Sequence, residues 1–256
     1  MYVLEGGGAV RNEKVFEIEA ARNTLHFQLH EPNLNRELDR ELPDAPVMSD
    51  TLLMLELAVR ERVVDLSEVT QLVLGDLGAA IQIMRLAGRE GLSGRMENCI
   101  SGLGVQACLD AVARRPIKRG TCDPAIAELW SHAKRTADNC KFLAEEAFLP
   151  VNPDHAYLVG LFHAVGALPS VLGWERTPQV AGNHDAVGLR MALAWSLPDC
   201  VVAYFSEIPS RSSVIRWKEM VRSAHQEANG SRTDSAVCNY VFLHDPVNLW
   251  APAVSS

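Results

Sequence analysis

Two alternating runs stand near the start of the chain, and helical spacing fills most of the rest. In "KVFEIEA", Phe16, Ile18 and Ala20 share one side, and in "TLHFQLHE", Leu25, Phe27 and Leu29 do the same. Period-two alternation predicts strands, and "ARN" between them supplies a turn, so a hairpin is expected from Lys14 to Glu31. An isolated hairpin is marginal and must pack on the helical body or on a second chain. The polar run "EPNLNRELDRELPDAP" reads as a linker. After Pro46, Leu52, Leu55, Val59 and Val63 fall at helical spacing. Asp65, with Glu68 three residues on, signals the start of a helix over Leu66 to Leu74. Asp76 caps the next, with Ile81, Met84 and Ala87 on its inner face and Gly88 and Gly91 as its stop. "CISGLGVQACLDAVARR" reads as one helix. Asp123 and Pro124 open the clearest one, whose buried face runs through Ile126, Leu129, Ala133, Ala137 and Leu143. Asn183 caps a pair of helices broken at Pro198, and "SVIRWKEMVRSAHQE" is amphipathic, with Trp217 on the face of Val214 and Val221.

Between these helices lies "AYLVGLFHAVGALPSVLGW", Ala156 to Trp174, which carries no charge and one histidine. A membrane span wants about 20 apolar residues. Here Gly160, Gly166 and Gly173 interrupt the run, Pro169 should end or kink it, and the flanks are Asp154 and Glu175 rather than basic anchors. A fully buried helix of an all-α domain is apolar all round in the same way. The stretch is therefore expected to be a core helix, and no membrane partner is expected.

Composition narrows the picture. Hydrophobic residues make up 48% of the 256 and aromatics only 6%, a mix of Leu, Ala, Val and Ile that suits packed helices. The formal net charge of −8 argues against a general nucleic-acid binder, which needs a clustered basic surface. Cys99, Cys108, Cys122, Cys140, Cys200 and Cys238 show no CxxC spacing, so free thiols in a reducing, cytoplasmic setting are expected.

Three histidines fall on or beside helices that should be buried: His132, His163 and His184. Distant helices can bring such imidazoles to one metal. Divalent-metal hydrolysis also needs carboxylates, and the residue after His163 is Ala164, which cannot ligate. A short basic cluster, Arg114, Arg115, Lys118 and Arg119, is either a solvated helix end or a seat for a phosphate-bearing ligand.

Four ordered stretches resemble the HDOD family of bacterial output domains. They are "LPDAP", then "GDLGAAIQIMRLAG" with "ISGLG", then "LWSHAKRTA", and finally "GLFHAVGALP" with "HDAVGLRMALAWSLPDCVVAYF". That family is similar to the HD phosphohydrolases, in which a His, a His-Asp doublet and a later Asp bind metal. By position the resemblance makes His132 the first His and His163 the doublet His. It puts Ala164 where the doublet Asp belongs, and His184 at a His frequent in the HDOD pattern. The later Asp has no counterpart, only Glu207 nearby. The resemblance implies a hydrolase fold used in regulation without hydrolysis, with no cofactor and no catalytic metal.

The expected fold is thus all-α: an HD-type multi-helix bundle over 42–209, after a small N-terminal β-hairpin extension and linker (1–41), and before an amphipathic helix and tail (210–256). The expected role is that of a catalytically inactive regulatory protein in bacterial signalling, with an unidentified protein partner or a second copy of itself. A metal-dependent phosphohydrolase with a non-standard site, and a receptor for a small nucleotide messenger, are the alternatives.

Overall fold

Val47 and Met48 form β1, which pairs in parallel with β2 (Pro116–Ile117), Val47 opposite Pro116 and Met48 opposite Ile117. All other regular structure among the described residues of this computed structural model is helical. The structure describes residue 39 and residues 42–61, 64–92, 94–114, 116–117, 123–146, 151–174, 183–206 and 212–229. The hairpin expected over Lys14 to Glu31 lies outside them.

The early helices begin where side chains can satisfy their unpaired N–H groups. After α1 (Ser49–Arg60), the Asp65 carboxylate accepts from the backbone N–H of Ser67 and Glu68 to start α2 (Leu66–Leu74). Asp76 caps α3 (Leu77–Arg89) through the N–H groups of Gly78 and Ala79. Gly88 does not stop α3. It lies inside the helix, where an added Cβ would come within 2.3 Å of the Ser196 Cβ, so two segments touch there. The segment expected to be one helix is two, α4 (Met96–Leu103) and α5 (Val105–Val112), separated by Gly104 at φ +81°. That left-handed backbone suits glycine and breaks the helical run.

The long helix α6 (Pro124–Glu146) begins at Asp123, whose Oδ1 accepts from the Ala125 N–H at 2.8 Å. Asn152 caps α7 (Pro153–Phe162). The uncharged stretch is not one helix. The chain turns at His163 and Ala164, makes a single tight 3-10 turn over Val165–Ala167, and resumes as α8 (Leu168–Leu172), with Pro169 in its first turn. The break therefore comes before the proline. By length and composition 153–172 could cross a membrane, yet most of it is buried within the protein body. Asn183 caps α9 (His184–Ala194), and Pro198 leads into α10 (Asp199–Phe205). The last described helix is α11 (Ser212–Asn229).

One apolar cluster joins these helices, with Leu55, Ile81, Leu129, Leu161, Phe162, Leu168, Trp195 and Phe205 fully buried. Helices α6 and α7 pack most closely, and α11 lies along α6 with further contacts to α7 and α10. At Gly160 an added Cβ would sit 2.7 Å from the Ala137 Cα and 2.8 Å from the Thr136 carbonyl oxygen, so α6 and α7 meet backbone to backbone. Two buried polar groups organise the other side. The Asp76 carboxylate also accepts from the Met48 N–H and from the Trp130 indole N–H, each at 2.8 Å, and so ties β1, α3 and α6 together. Arg85, over the Trp195 ring, donates to Asp39 at 2.7 Å and to Asp44 at 2.8 Å.

Candidate functional site

The α6–α7 contact places two imidazoles face to edge. His132 lies on the α6 face that carries Leu129, Ala133 and Thr136, and His163 follows the last residue of α7. Their Nε2 atoms are 3.2 Å apart. The third ring comes from α11. His225 shares a buried face with Trp217, Val221 and Ala224, and its Nε2 lies 2.7 Å from that of His163. Ring centroids are 5.1 Å apart for His132 and His163, 4.9 Å for His132 and His225, and 4.5 Å for His163 and His225. One nitrogen from each ring falls within a sphere of contacts no longer than 4.8 Å. All three residues are buried, the most accessible at 3%.

His163 Nδ1 lies 2.6 Å from the Gly160 carbonyl oxygen, to which it can only donate. That hydrogen bond fixes the tautomer and leaves Nε2 with a lone pair facing the other two rings. Burial holds all three imidazoles neutral. Desolvation, with Arg135 nearby, lowers His132 to about 4. Desolvation, with His132 and His184 nearby, lowers His225 to about 3. His163, enclosed and beside both, is held well below the ordinary imidazole value.

His184 opens α9 and is buried, outside the three-ring cluster. Its Nδ1 is 3.8 Å from Asp185 Oδ1, and its Nε2 is buried without a hydrogen-bond partner. Gly166 fits against it: an added Cβ would lie 2.3 Å from the His184 carbonyl oxygen. Asp185 accepts from Lys218 of α11 at 2.9 Å. Burial alone would raise the Asp185 carboxyl, but the nearby His184 ring and the hydrogen bond from Lys218 bring it below its ordinary value. Ala164 is wholly buried, in the turn after His163. Arg114 is exposed in the turn after α5, while Arg115, Lys118, Arg119 and Glu207 lie outside the described residues.

Of the three histidines singled out in the sequence, the structure brings His132 and His163 together and sets His184 apart. His225 was missed, although "WKEMVRSAH" carries its signal: it lies four residues after Val221 and eight after Trp217, on the stripe that should be buried.

A two-ion hydrolytic centre needs carboxylates to neutralise and bridge the ions. Among the described residues the cluster is made of imidazoles alone, with a methyl group at Ala164, and Asp185 is engaged by Lys218. This donor set does not fit such a centre. Two surface clefts among the described residues, one bordered by Ser67, Arg95 and Tyr157 and one by Gly88, His155 and Asp199, are not lined by the three histidines.

No curated protein matches the chain. Two solved structures of the MmoQ response regulator from Methylococcus capsulatus str. Bath share its fold. One is 17% identical with a TM-score of 0.57, covering 77% of this chain and 89% of that one. The other is 18% identical with a TM-score of 0.58, covering 78% and 92%. The model of the HDOD domain matches residues 45–180. That span holds α1 to α8, His132, His163 and Ala164, and covers more than half of the sequence, so the chain belongs to the HDOD domain family.

Proposed function

We propose that this chain is a cytoplasmic regulatory protein of bacterial signal transduction that keeps the HD scaffold and works by binding, not by hydrolysis. The observation that carries this reading is the sealed cluster of three imidazoles with Ala164 beside it. A phosphoester reaction needs an opening for the ester and a negatively charged ligand set for the ions, and among the described residues neither accompanies the cluster. The likeness to a protein described as a response regulator supports a signalling role. Four described cysteines, Cys99, Cys108, Cys140 and Cys200, are unpaired, as a reducing compartment favours. Leu53, Met54 and Leu57 are 43 to 46% exposed on one side of α1, the type of apolar surface that protein contacts use.

The test is turnover. Purified chain is incubated with a generic aryl phosphate, an aryl phosphodiester and a panel of linear and cyclic nucleotides, with Mg²⁺, Mn²⁺ or Zn²⁺ in turn. The expected result is a rate equal to the protein-free control for wild type and for Ala164→Asp. Turnover that rises in Ala164→Asp and disappears in His163→Ala overturns the proposal in favour of a hydrolase. Stabilisation by one nucleotide without turnover would keep the non-hydrolytic role and name the nucleotide as what is bound.

A further inference from the structure

We propose that His132, His163 and His225 bind one divalent ion of the zinc class, and that this ion fastens α11 to the HD core. The inference goes beyond the non-hydrolytic reading and does not depend on it. Three side chains, from α6, from the end of α7 and from α11, bring one nitrogen each to within 4.8 Å of one another, though His163 and His225 are 62 residues apart in the chain. Zinc–imidazole bonds of about 2.0–2.1 Å in tetrahedral geometry put two ligand nitrogens about 3.4 Å apart. The observed 3.2 Å and 2.7 Å are shorter than that and the third edge lies within 4.8 Å, so the His163–His225 edge must open by some tenths of an ångström to admit the ion.

His163 is the ring at the centre of these contacts. With its Nδ1 proton given to Gly160, His163 offers one in-plane lone pair, and two other ring nitrogens face it. If both of those nitrogens carry a proton, one lone pair cannot accept well from the two at once, and if neither does, the lone pairs repel. An ion instead takes a lone pair from each ring. The Gly160 carbonyl is the outer partner that sets a metal-binding imidazole in its tautomer and orientation. Neutral imidazoles are the form that ligates. A set of imidazoles without carboxylate favours Zn²⁺ and its late transition-metal neighbours over Mg²⁺ or Mn²⁺.

The position of His225 gives the site its consequence. His132 and His163 lie within the matched domain, whereas His225 lies on α11, beyond residue 180. Elsewhere α11 is tied down by the Ala224 carbonyl accepting from Asn139 at 3.1 Å and by Lys218 on Asp185 at 2.9 Å. An ion held by both sides adds its binding free energy to that docking.

The experiment uses the full chain, purified without a metal-chelating tag and stripped with a chelator. Co²⁺ is titrated and followed by its visible d–d absorption, Zn²⁺ then competes, and hydrogen exchange is read on peptides of α11 with and without Zn²⁺. The expected result is one equivalent of Co²⁺ with the intense bands of four-coordination by three imidazoles and one water, displacement by Zn²⁺, and slower exchange across Trp217 to Gln226 when Zn²⁺ is bound. His225→Gln should weaken Co²⁺ at least ~100-fold, since loss of an outer partner alone costs ~10–100-fold. His155→Ala, a histidine outside the cluster, should bind as wild type does. No uptake by wild type overturns the proposal, as does His225→Gln binding with wild-type affinity or exchange in α11 that ignores Zn²⁺. The wild-type titration and exchange decide the matter even if His225→Gln does not fold. Their failure would leave the turnover result untouched, and turnover would leave the metal result untouched.

Discussion

His163 and His225 meet Nε2 to Nε2 across 2.7 Å, and the Gly160 carbonyl holds the far nitrogen of His163 at 2.6 Å. The contact joins the end of α7 to the middle of α11. It makes an imidazole pair, normally a solvent-exposed base, part of the interior.

That burial has a pH signature. In the folded protein His132 is lowered to about 4 and His225 to about 3, both chiefly by desolvation, against about 6.5 in an unfolded chain. Below about 6.5 the unfolded chain takes up protons that the folded one refuses. The histidine contribution to stability is therefore complete above that pH and is lost as the pH falls toward the folded values. Urea midpoints with chelator present should stay flat from pH 7 to 8 and fall steadily from pH 6.5 to 4. In His225→Gln the fall should be shallower; an unchanged slope would remove His225 from this account.

Gly160→Ala should destabilise the protein. Alanine improves helix propensity by about 1 kcal/mol. Against that, its Cβ would lie 2.7 Å from the Ala137 Cα, and backbone cannot swing aside as a side-chain tip can. Overpacking costs about 1–3 kcal/mol, and a contact with rigid backbone belongs at the upper end, about 2–3 kcal/mol, so the net loss should be about 1–2 kcal/mol by urea unfolding. Equal or higher stability would mean that α6 and α7 lie farther apart than the structure places them.

Asp76→Ala should be among the costliest single changes. It removes the cap of α3 and leaves the Met48 N–H and the Trp130 indole N–H without their acceptor. A lost cap costs about 1 kcal/mol and each stranded buried donor about 1–3 kcal/mol, so a loss of about 3 kcal/mol or more is expected. Asp76→Asn keeps one acceptor oxygen and should recover part of it, with Trp130 fluorescence reporting whether the indole regains its bond.

Thiol labelling should divide the cysteines. Burial raises Cys108 to about 11, with Cys99 adding to it, and raises Cys140 and Cys200 to about 12. Only the thiolate reacts. At pH 8, iodoacetamide should modify Cys108 and Cys140 no faster than the protein unfolds, and mass spectrometry should find them labelled only in denaturant. Rapid labelling of native Cys140 would show that the face of α6 bearing it is open.

How much of this could be read beforehand follows from range. The caps at Asp65, Asp76, Asp123 and Asn183 were legible because a cap is decided within three residues. The all-α body was legible from its spacing, and the HD pattern from the order of its motifs. The turn at His163 was not, since a charge-free stretch carries no periodicity to interrupt; the turn brings Gly166 against the His184 backbone, a tertiary contact. The β1–β2 pair was too short to show alternation. The cluster was two-thirds legible. His225 is a single polar residue on an amphipathic helix, and only the packing of α11 on α6 turns it toward His163.

The two-residue pairing of β1 with β2 also sets an order of events. Val47 and Pro116 are partners across a loop that contains α1 to α5. Closing so long a loop costs entropy that two residues of pairing cannot offset. The caps form within a turn of chain, and the five helices can gather through contacts between neighbours. The strands join only when those helices have already brought their ends together, so this pairing is a late step of folding, a seal rather than a seed.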